Sequence, residues 1–282
     1  MSGTVDLHMH STFSDGTLSP TELMRAARQA GLQTVALTDH DTARGTAEAQ
    51  AAGRALGLTV VPGIEMAADL RGTEVHFLGY YIDPNAAALS EMNDWNTLQR
   101  QQRNGDIIRA MQSDGIDISA EAVRSDVCGP DTVMGRPHIA RYLCLHGYAP
   151  DMKTAFDRYV GSKSRYFRPR RLPSMSAVIG CLRAAGGVAV AAHPFQYGFE
   201  DTQDFLRLCR SLGAAGAEVW YTGYSLQQIQ LLTLWTKELG MLATGGSDFH
   251  GANKPQISLG RLLVPAEAAA ALSAYANPDL LS

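Results

Sequence analysis

Apolar runs of strand length alternate with amphipathic stretches of helical length along most of this chain. The first pair predicts a strand over residues 4–7 and a helix that begins after Ser19, which forms a capping box with Glu22, and ends at Gly31. The chain ends with a predicted alanine-rich helix over residues 265–282. About seven strands are predicted in all, over residues 4–7, 34–37, 58–61, 74–82, 188–192, 216–220 and 241–244. Strands that alternate with helices favour an α/β fold with a parallel βα barrel.

One long stretch departs from this alternation. Residues 86–113 predict one long polar helix, and residues 115–159 predict several shorter helices, before the strand–helix pattern resumes. We therefore predict a barrel formed by residues 1–103 and 168–282, and a mostly helical insertion, residues 104–167, that caps the mouth of the barrel.

The composition is that of a globular protein that does not bind nucleic acid through bulk charge. The 282 residues carry a net charge of −4, and 45% of them are hydrophobic and 18% charged. No apolar run is long enough to span a bilayer, and the first strand begins too early to leave room for a signal peptide. With four widely spaced cysteines, these features predict a cytoplasmic protein, and they give no reason to expect a membrane or a protein partner.

Histidine and carboxylate residues gather where the predicted strands end. Two short motifs, His8-x-His10 and Asp248-x-His250, each place two side chains on one face of a strand. The carboxyl ends of barrel strands converge at one mouth, where the functional groups of such folds collect. The sequence therefore predicts a metal site there. The candidate ligands are His8, His10, Asp15, His40, Glu65, His76, His193, Asp248 and His250.

Nine candidate ligands are too many for one ion, because a catalytic site gives an ion about three or four protein ligands and keeps a position open for water. The set suits roughly two or three ions, with a carboxylate such as Glu65 as a bridge. Imidazole and carboxylate ligands without thiolate favour manganese, iron or zinc over calcium. Adjacent ions lower the pKa of a bridging water and clamp the oxygens of a transferring phosphoryl group.

These motifs, in this order, resemble the polymerase and histidinol phosphatase (PHP) family. The resemblance covers the chain from Val5 to His250 apart from the insertion. It implies a distorted (β/α)7 barrel with a centre of three divalent ions that hydrolyses phosphate esters, manganese being the first expectation and iron or zinc the alternatives. By this resemblance, one ion is held by His8, His10, Glu65 and Asp248, a second by Glu65, His76 and His193, and a third by Asp15, His40 and His250.

Two segments are similar to one subgroup of that family, the 3′,5′-nucleoside bisphosphate phosphatases and 5′–3′ exoribonucleases. They are residues 5–17 (Val-Asp-Leu-His-Met-His-Ser-Thr-Phe-Ser-Asp-Gly-Thr) and residues 37–42 (Leu-Thr-Asp-His-Asp-Thr). The likeness implies removal of the 3′-phosphate from a nucleoside 3′,5′-bisphosphate through attack of a metal-bound hydroxide. Asp15, His193 and His250 are the residues that we expect to assist the departure of the leaving oxygen.

Polar and cationic side chains on and near the insertion are the candidates for substrate binding. Arg136 lies at the start of a predicted helix, where backbone N–H groups also favour anions. The basic run over residues 162–171 has interleaved aromatic side chains, which can stack on a base. The substrate-binding candidates are Arg44, Arg103, Asn104, Arg136, His138, Arg165 and Arg170.

Three alternatives to 3′-phosphate hydrolysis remain open. A 5′–3′ exoribonuclease that acts on short 5′-phosphorylated RNA would use the same metal site. A histidinol-phosphate phosphatase would need an anionic site for an amine, and the basic run over residues 162–171 disfavours it. A non-catalytic PHP module is disfavoured by the complete set of candidate ligands.

Overall fold

Seven strands form one sheet in the order in which they occur along the chain. The computed structural model describes residues 4–277. The strands are β1 (Val5–Met9), β2 (Thr34–Leu37), β3 (Thr59–Leu70), β4 (Thr73–Tyr80), β5 (Val188–Ala191), β6 (Gly216–Tyr221) and β7 (Leu242–Gly246). The helices are α1 (Pro20–Gln29), α2 (Thr46–Leu56), α3 (Ala87–Ser113), α4 (Ala120–Val127), α5 (Arg136–Leu145), α6 (Met152–Ala155), α7 (Met175–Ala184), α8 (Thr202–Ser211), α9 (Leu226–Glu238) and α10 (Ala266–Ala276).

The expectation of a wholly parallel barrel is wrong at β4, which runs antiparallel to both of its neighbours, β3 and β5. All the other adjacent pairs in the sheet are parallel. The cause is the connection between β3 and β4, which consists of Arg71 and Gly72 alone. A two-residue turn can only join antiparallel strands, since a parallel crossover needs a dozen residues or so.

Local signals placed the early helices correctly. Ser19 accepts the backbone N–H of Glu22 and the Glu22 side chain accepts that of Ser19, so the capping box that opens α1 is formed. Gly57 ends α2 in the left-handed conformation, with φ of 68°. Glycine adopts this conformation without the steric penalty that a Cβ atom brings.

The first and last strands meet at a seam that nearly closes the barrel. A parallel bridge joins Met9 to Phe249, and the N–H of Asp248 donates to the carbonyl of His8 at 2.8 Å. Gly246 lies directly against this seam, where an added Cβ atom would be 2.3 Å from the Cβ of His8. The seam therefore requires glycine at that position.

Helices α3 to α6, with a π-helical turn at Phe156–Val160, lie between β4 and β5. The start of α3 packs on the barrel through Leu89, whereas Ile107 and Met111 further along α3 belong to a separate apolar cluster with α4 and α5. Helix α3 therefore packs both on the barrel and within the apolar cluster of the insertion. The division into a barrel of residues 1–103 and 168–282 and an insertion of residues 104–167 stays a proposal, which the separate clusters support.

The predicted C-terminal helix is shorter than expected within the described residues. It forms α10, which packs through Ala268 and Leu272 on the cluster that contains Val5 of β1. Residues 278–282 lie outside the described part of the chain. Between residues 4 and 277, no helix combines the length and the apolar character that a membrane crossing requires.

Candidate metal centre

The nine candidate ligands come together at one mouth of the barrel, from six of the seven strands or the loops that follow them. His8 lies on β1, Glu65 in the middle of β3 and His76 on β4. The strand that carries Glu65 is longer than predicted, because β3 continues past it to form the hairpin with β4. The other candidates follow β1, β2, β5 and β7 and are His10, Asp15, His40, His193, Asp248 and His250.

Glu65 lies at the middle of the cluster and is 1% exposed. Five histidine nitrogens surround its two oxygens. Oε1 is 2.8 Å from His76 Nδ1 and 3.0 Å from His193 Nε2. Oε2 is 3.0 Å from His40 Nδ1 and 3.3 Å from the Nε2 atoms of His8 and His10. A carboxylate in this position suits the role of a bridge between ions.

Two aspartates complete the cluster beside His250, His40 and His10. The Oδ1 atom of Asp15 is 3.2 Å from His250 Nε2 and 3.8 Å from His40 Nε2. The Oδ1 atom of Asp248 is 3.3 Å from His10 Nε2. Asp15 and Asp248 therefore add carboxylate oxygens to the histidine nitrogens that surround Glu65.

The polar atoms of the cluster fit divalent ions. Four buried atoms that face it have no hydrogen-bond partner among the described residues, namely His8 Nε2, His10 Nε2, Asp15 Oδ1 and Glu65 Oε2. A buried polar atom without a partner costs about 1–3 kcal/mol, so a group of them points to a ligand. Ligand atoms lie within 4.8 Å of one another in three groups: His10, Asp15, His40 and His250; His8, His10 and Glu65; and His40, Glu65 and His76.

Two of these groups overlap closely with the ion sites that the PHP resemblance implies, and the third contains His40 where the resemblance has His193. The assignment of ligands to three separate ions therefore stays a proposal. The mixture of imidazole and carboxylate donors without thiolate is that of manganese, iron or zinc sites.

Hydrogen bonds behind the histidines fix which ring nitrogen faces the centre. The Nδ1 of His8 donates to Glu218 Oε1 at 3.0 Å, and the Nδ1 of His250 donates to the carbonyl of Asp248 at 2.8 Å. His10 Nδ1 is 3.3 Å from the hydroxyl of Ser14, which in turn donates to Asp39. In each case the Nε2 lone pair is left for the cluster. Such outer partners orient ligating histidines and raise their basicity.

Left-handed backbone occurs at the centre as well. His193 has φ of 29° and Asp248 has φ of 57°. Such conformations cost on the order of 1–3 kcal/mol each and persist only where the surroundings impose them. The N–H of His193 is held by Glu218 Oε2 at 2.8 Å, and that of Asp248 by the seam with His8. The structure thus holds both side chains in place at the mouth.

The carboxylates of the centre stay charged. Burial raises the pKa of Glu65, but the histidines around it, His40 foremost, outweigh burial and hold the pKa well below 4.5. Burial also raises the pKa of Asp248, and the charge of Lys254 reverses that effect, so this pKa lies well below 3.8. Charged carboxylates are the form that binds cations.

Sequence reasoning missed three residues that support the ligands. Glu218 holds His8 and His193, as described above. Tyr221 and Lys254 both donate to Asp248 Oδ2, at 2.7 and 2.6 Å. The available signal for Glu218 was a lone carboxylate within the apolar strand Gly216–Tyr221.

A basic cavity of about 990 Å³ lies beside the centre. Arg103, Arg136, Lys163, Arg168, Arg170 and the ring of Phe167 are among its lining residues. Glu74 also lines it, and Glu74 Oε1 is 3.6 Å from His76 Nε2, so the cavity adjoins the centre at that point. This volume is at the upper end of the range, about 300–1,000 Å³, that small-molecule sites occupy.

Three of the predicted substrate-binding residues line this cavity. Arg170 pairs with Asp41 Oδ2 at 3.2 Å and with Glu74 Oε1 at 3.1 Å. Arg103 and Arg136 have no carboxylate within ion-pair distance among residues 4–277, and Arg103 Nη2 is buried without a hydrogen-bond partner. Burial, followed by the repulsion of neighbouring arginines, holds the pKa of Arg103 well below 12.5. An anion in the cavity would offset both the burial of the Arg103 charge and the repulsion between the neighbouring arginines.

The other four predicted substrate-binding residues do not line the basic cavity. Arg44 pairs with Asp131, and Arg165 pairs with Asp114, both at exposed positions. Asn104 donates to the carbonyl of Met134, and His138 Nδ1 accepts the N–H of Gly135. Asn104 and His138 are buried and hold the insertion together, and a substrate contact for any of the four stays a prediction.

The centre has ligand groups that suit several ions, and beside it lie guanidinium groups with no carboxylate partner among residues 4–277. This arrangement suits the hydrolysis of a phosphate ester and is that of a metal-dependent phosphoesterase. A model of the PHP domain matches residues 6–159, more than half of the chain. The chain therefore belongs to the PHP domain family, as the sequence predicted, and its fold is the barrel of that family.

Characterised relatives and a solved structure cover most of the chain. A 5′–3′ exoribonuclease of Haemophilus influenzae is 32% identical over 249 residues, which are 87% of this chain and 89% of that protein. A 3′,5′-nucleoside bisphosphate phosphatase of Chromobacterium violaceum is 32% identical over 254 residues, 87% of each chain. The crystal structure of a Bifidobacterium adolescentis protein classed as a metal-dependent phosphoesterase has a TM-score of 0.90, 34% identity and 96% coverage of both chains.

Proposed function

We propose that the protein hydrolyses the 3′-phosphate of nucleoside 3′,5′-bisphosphates, such as adenosine 3′,5′-bisphosphate, to give a nucleoside 5′-phosphate and inorganic phosphate. The basic cavity that adjoins the centre at Glu74 and His76 carries this proposal. It offers a second phosphate-binding position, next to the one at the metal ligands. The relative from Chromobacterium violaceum acts on a substrate with this pair of phosphates.

In this proposal the two phosphates of the substrate occupy different parts of the cleft. The 3′-phosphate lies at the nine ligands, and the 5′-phosphate pairs with Arg103 and Arg136, which have no carboxylate partner in the described part of the chain. Arginine suits this task because its planar fork pairs with two phosphate oxygens at once. Phe167, whose ring lies 5.6 Å from the Arg136 guanidinium carbon, offers a face for the base.

The ligand residues would hold divalent ions, which lower the pKa of a water and offset the charge that develops on the phosphoryl oxygens. The chain itself orients the ligands through Glu218, Ser14 and the seam. Asp15, His193 and His250 stay the proposed assistants of the leaving oxygen. The Nδ1 of His250 is already bonded to the carbonyl of Asp248, whereas the Nδ1 of His193 is buried with no hydrogen-bond partner among residues 4–277. Of the two rings, His193 is therefore the one whose Nδ1 is not engaged by a described residue.

A second candidate function is 5′–3′ exoribonuclease activity on short 5′-phosphorylated RNA. The relative from Haemophilus influenzae has this activity in its name and the same 32% identity as the phosphatase. Both activities break the bond between a 3′-oxygen and phosphorus in a nucleotide that carries a 5′-phosphate. The same ligands and the same basic cavity serve both.

The first experiment measures phosphate release from adenosine 3′,5′-bisphosphate by the manganese-loaded protein, beside a short 5′-phosphorylated RNA and histidinol phosphate. Phosphate release with AMP as the other product supports the proposal. Mononucleotides from RNA without turnover of the bisphosphate would replace it with the exoribonuclease. Turnover of histidinol phosphate alone would overturn both.

Arg136→Ala tests the role of the basic cavity. A charged hydrogen bond contributes about 1.5–3 kcal/mol, so we expect kcat/KM for the bisphosphate to fall by about tenfold to a hundredfold at unchanged metal content. Arg158→Ala is the matched control, because Arg158 is exposed on the π-helical turn and lines none of the described cavities. Equal kinetics for Arg136→Ala and Arg158→Ala would remove the basic cavity from the proposal.

A further inference from the structure

A second cavity, of about 670 Å³, lies between the insertion and the loop that follows β7. We call it the Lys254 cavity. Arg141, Lys153 and Phe156 line it from the insertion, and Asn253, Lys254 and Gln256 line it from the loop. Its lining combines three cations and two carboxylates, Asp151 and Asp157, with an aromatic ring, two side-chain amides and several apolar side chains.

Two residues of the Lys254 cavity contact candidate ligands directly. Lys254 Nζ is 2.6 Å from Asp248 Oδ2, and Asn253 Nδ2 donates to the carbonyl of Asp15 at 2.7 Å. The basic cavity reaches the centre from the side of His76 instead. Phe156 and Asp157 line both cavities, so the π-helical turn separates them. The two cavities therefore adjoin the centre at different ligands, one at His76 and the other at Asp248 and Asp15.

The two proposed activities differ only in what the phosphorus atom carries. In a bisphosphate the phosphoryl group at the centre is terminal. In 5′-phosphorylated RNA the same phosphorus also bears the 5′-oxygen of the next nucleotide. With the first nucleotide in the basic cavity, the rest of an RNA chain must leave the centre on another side.

We propose that the Lys254 cavity receives the nucleotide that follows the scissile phosphate of 5′-phosphorylated RNA. This inference rests on the second candidate function, exoribonuclease activity at the same centre. In the reaction a water oxygen bonds to phosphorus, the bond from phosphorus to the 3′-oxygen breaks, and that oxygen gains a proton. The products are a nucleoside 5′-phosphate and an RNA that again begins with a 5′-phosphate, so the next round needs no other enzyme.

The side chains of the cavity fit such a chain. Arg141 has no ion-pair partner among the described residues and is exposed, whereas Lys153 is paired with Asp157 at 2.6 Å. Arg141 is thus the cation that is free to meet a backbone phosphate. Phe156 offers a stacking face, and the amides of Asn253 and Gln256 can pair with the edges of any base.

The test compares kcat/KM for adenosine 3′,5′-bisphosphate and for a 5′-phosphorylated tetraribonucleotide in the full-length, manganese-loaded protein. Arg141→Glu places a negative charge in the path of the RNA, and we expect a loss of about tenfold or more on RNA with the bisphosphate within about twofold of wild type. Arg141→Gln removes the charge alone and should show a smaller loss of the same selectivity. Arg158→Glu, with the same charge change outside both cavities, should leave the ratio of the two values at its wild-type level.

Three outcomes overturn the inference. One is an equal loss on both substrates, which would assign Arg141 to the centre as a whole. A second is an unchanged ratio in Arg141→Glu. The third is a wild-type protein that hydrolyses the bisphosphate and leaves RNA intact. A wild-type protein that is inactive on both substrates would instead overturn the proposed function itself.

Discussion

Glu218 shows how one residue outside the ligand set organises the centre. It is fully buried, its Oε1 accepts from the ring of His8, and its Oε2 accepts the N–H of His193. One carboxylate therefore fixes a ring orientation on β1 and a left-handed backbone after β5. Loss of its charge should weaken metal binding and have little effect on the groups that take part in the reaction.

We predict that Glu218→Gln raises the manganese concentration needed for half-maximal activity by about tenfold to a hundredfold, while kcat at saturating manganese stays close to wild type. The amide keeps the volume and loses the charge that polarises His8. Activity titrations with manganese measure the effect. Glu121→Gln, at an exposed position of α4, is the control. A fall in kcat without a shift in the titration would assign Glu218 to the chemistry instead.

The sequence predicted the candidate ligands, which the structure brings together, and missed the residues that support them, for a physical reason. The nine ligand candidates share a local signal, a histidine or carboxylate within a strand or in the segment that follows it. Tyr221 and Lys254 become visible only when β6 and β7 lie side by side, because both reach Asp248 from positions with no motif. Arg44 and Arg165 were predicted to bind substrate, but each pairs with an aspartate, Asp131 or Asp114, that is distant in sequence. No local pattern could reveal those pairs.

Among the elements, the hairpin between β3 and β4 decides the shape of the barrel mouth. The hairpin makes β4 antiparallel to β3, and in this arrangement the ring of His76 on β4 contacts Glu65 on β3. Arg71 and Gly72 both have positive φ, 53° and 88°. That is the pattern of a type I′ turn, which favours asparagine followed by glycine.

We predict that Arg71→Asn raises the melting temperature and that Gly72→Ala lowers it. A Cβ atom at Gly72 meets nothing within 4 Å, so only the backbone conformation opposes it. The cost of a left-handed residue, about 1–2 kcal/mol, corresponds to a shift of a few degrees in a chain of this size. Thermal unfolding of the two variants beside wild type measures the direction of both changes in melting temperature. A stabilising Gly72→Ala would contradict the turn geometry.

Helix ends were predictable where strand direction was not. The capping box at Ser19 and the stop at Gly57 depend on residues within one turn of the helix, so the sequence carries them locally. The direction of β4 depends on the length of the connection from β3. With the strands predicted over residues 58–61 and 74–82, the connection was long enough for a parallel crossover, and only the continuation of β3 to Leu70 leaves Arg71 and Gly72 as a two-residue turn.

On the scale of the whole molecule, the centre connects distant parts of the barrel. Its candidate ligands belong to β1, β3 and β4 and to the segments after β2, β5 and β7. Bound ions would therefore cross-link most of the sheet. The insertion has its own apolar cluster around Ile107, Met111 and Leu143 and no member of the ligand set.

We predict that chelation lowers the melting temperature of the barrel and that manganese restores it in a concentration-dependent way. A ligand at a hundred times its dissociation constant stabilises a protein by about 2.7 kcal/mol per site. Calorimetry with and without manganese measures the shift, and hydrogen exchange should show the gain in β1, β3 and β7 and little in α4 and α5. A melting temperature independent of manganese would contradict the assignment of the cluster as a metal centre.

The origin of the side chains around the cleft has a consequence for divergence. Every candidate ligand lies within residues 8–76 or 193–250, whereas three of the cations that line the cavities, Arg103, Arg136 and Arg141, come from α3 and α5. If these three cations bind the substrate as proposed, mutations at their positions change which phosphate ester is accepted and leave the stretches of the gene that encode the candidate ligands untouched. A library confined to the cavity-lining positions of α3, α5 and the π-helical turn should yield new substrate preferences at undiminished metal content.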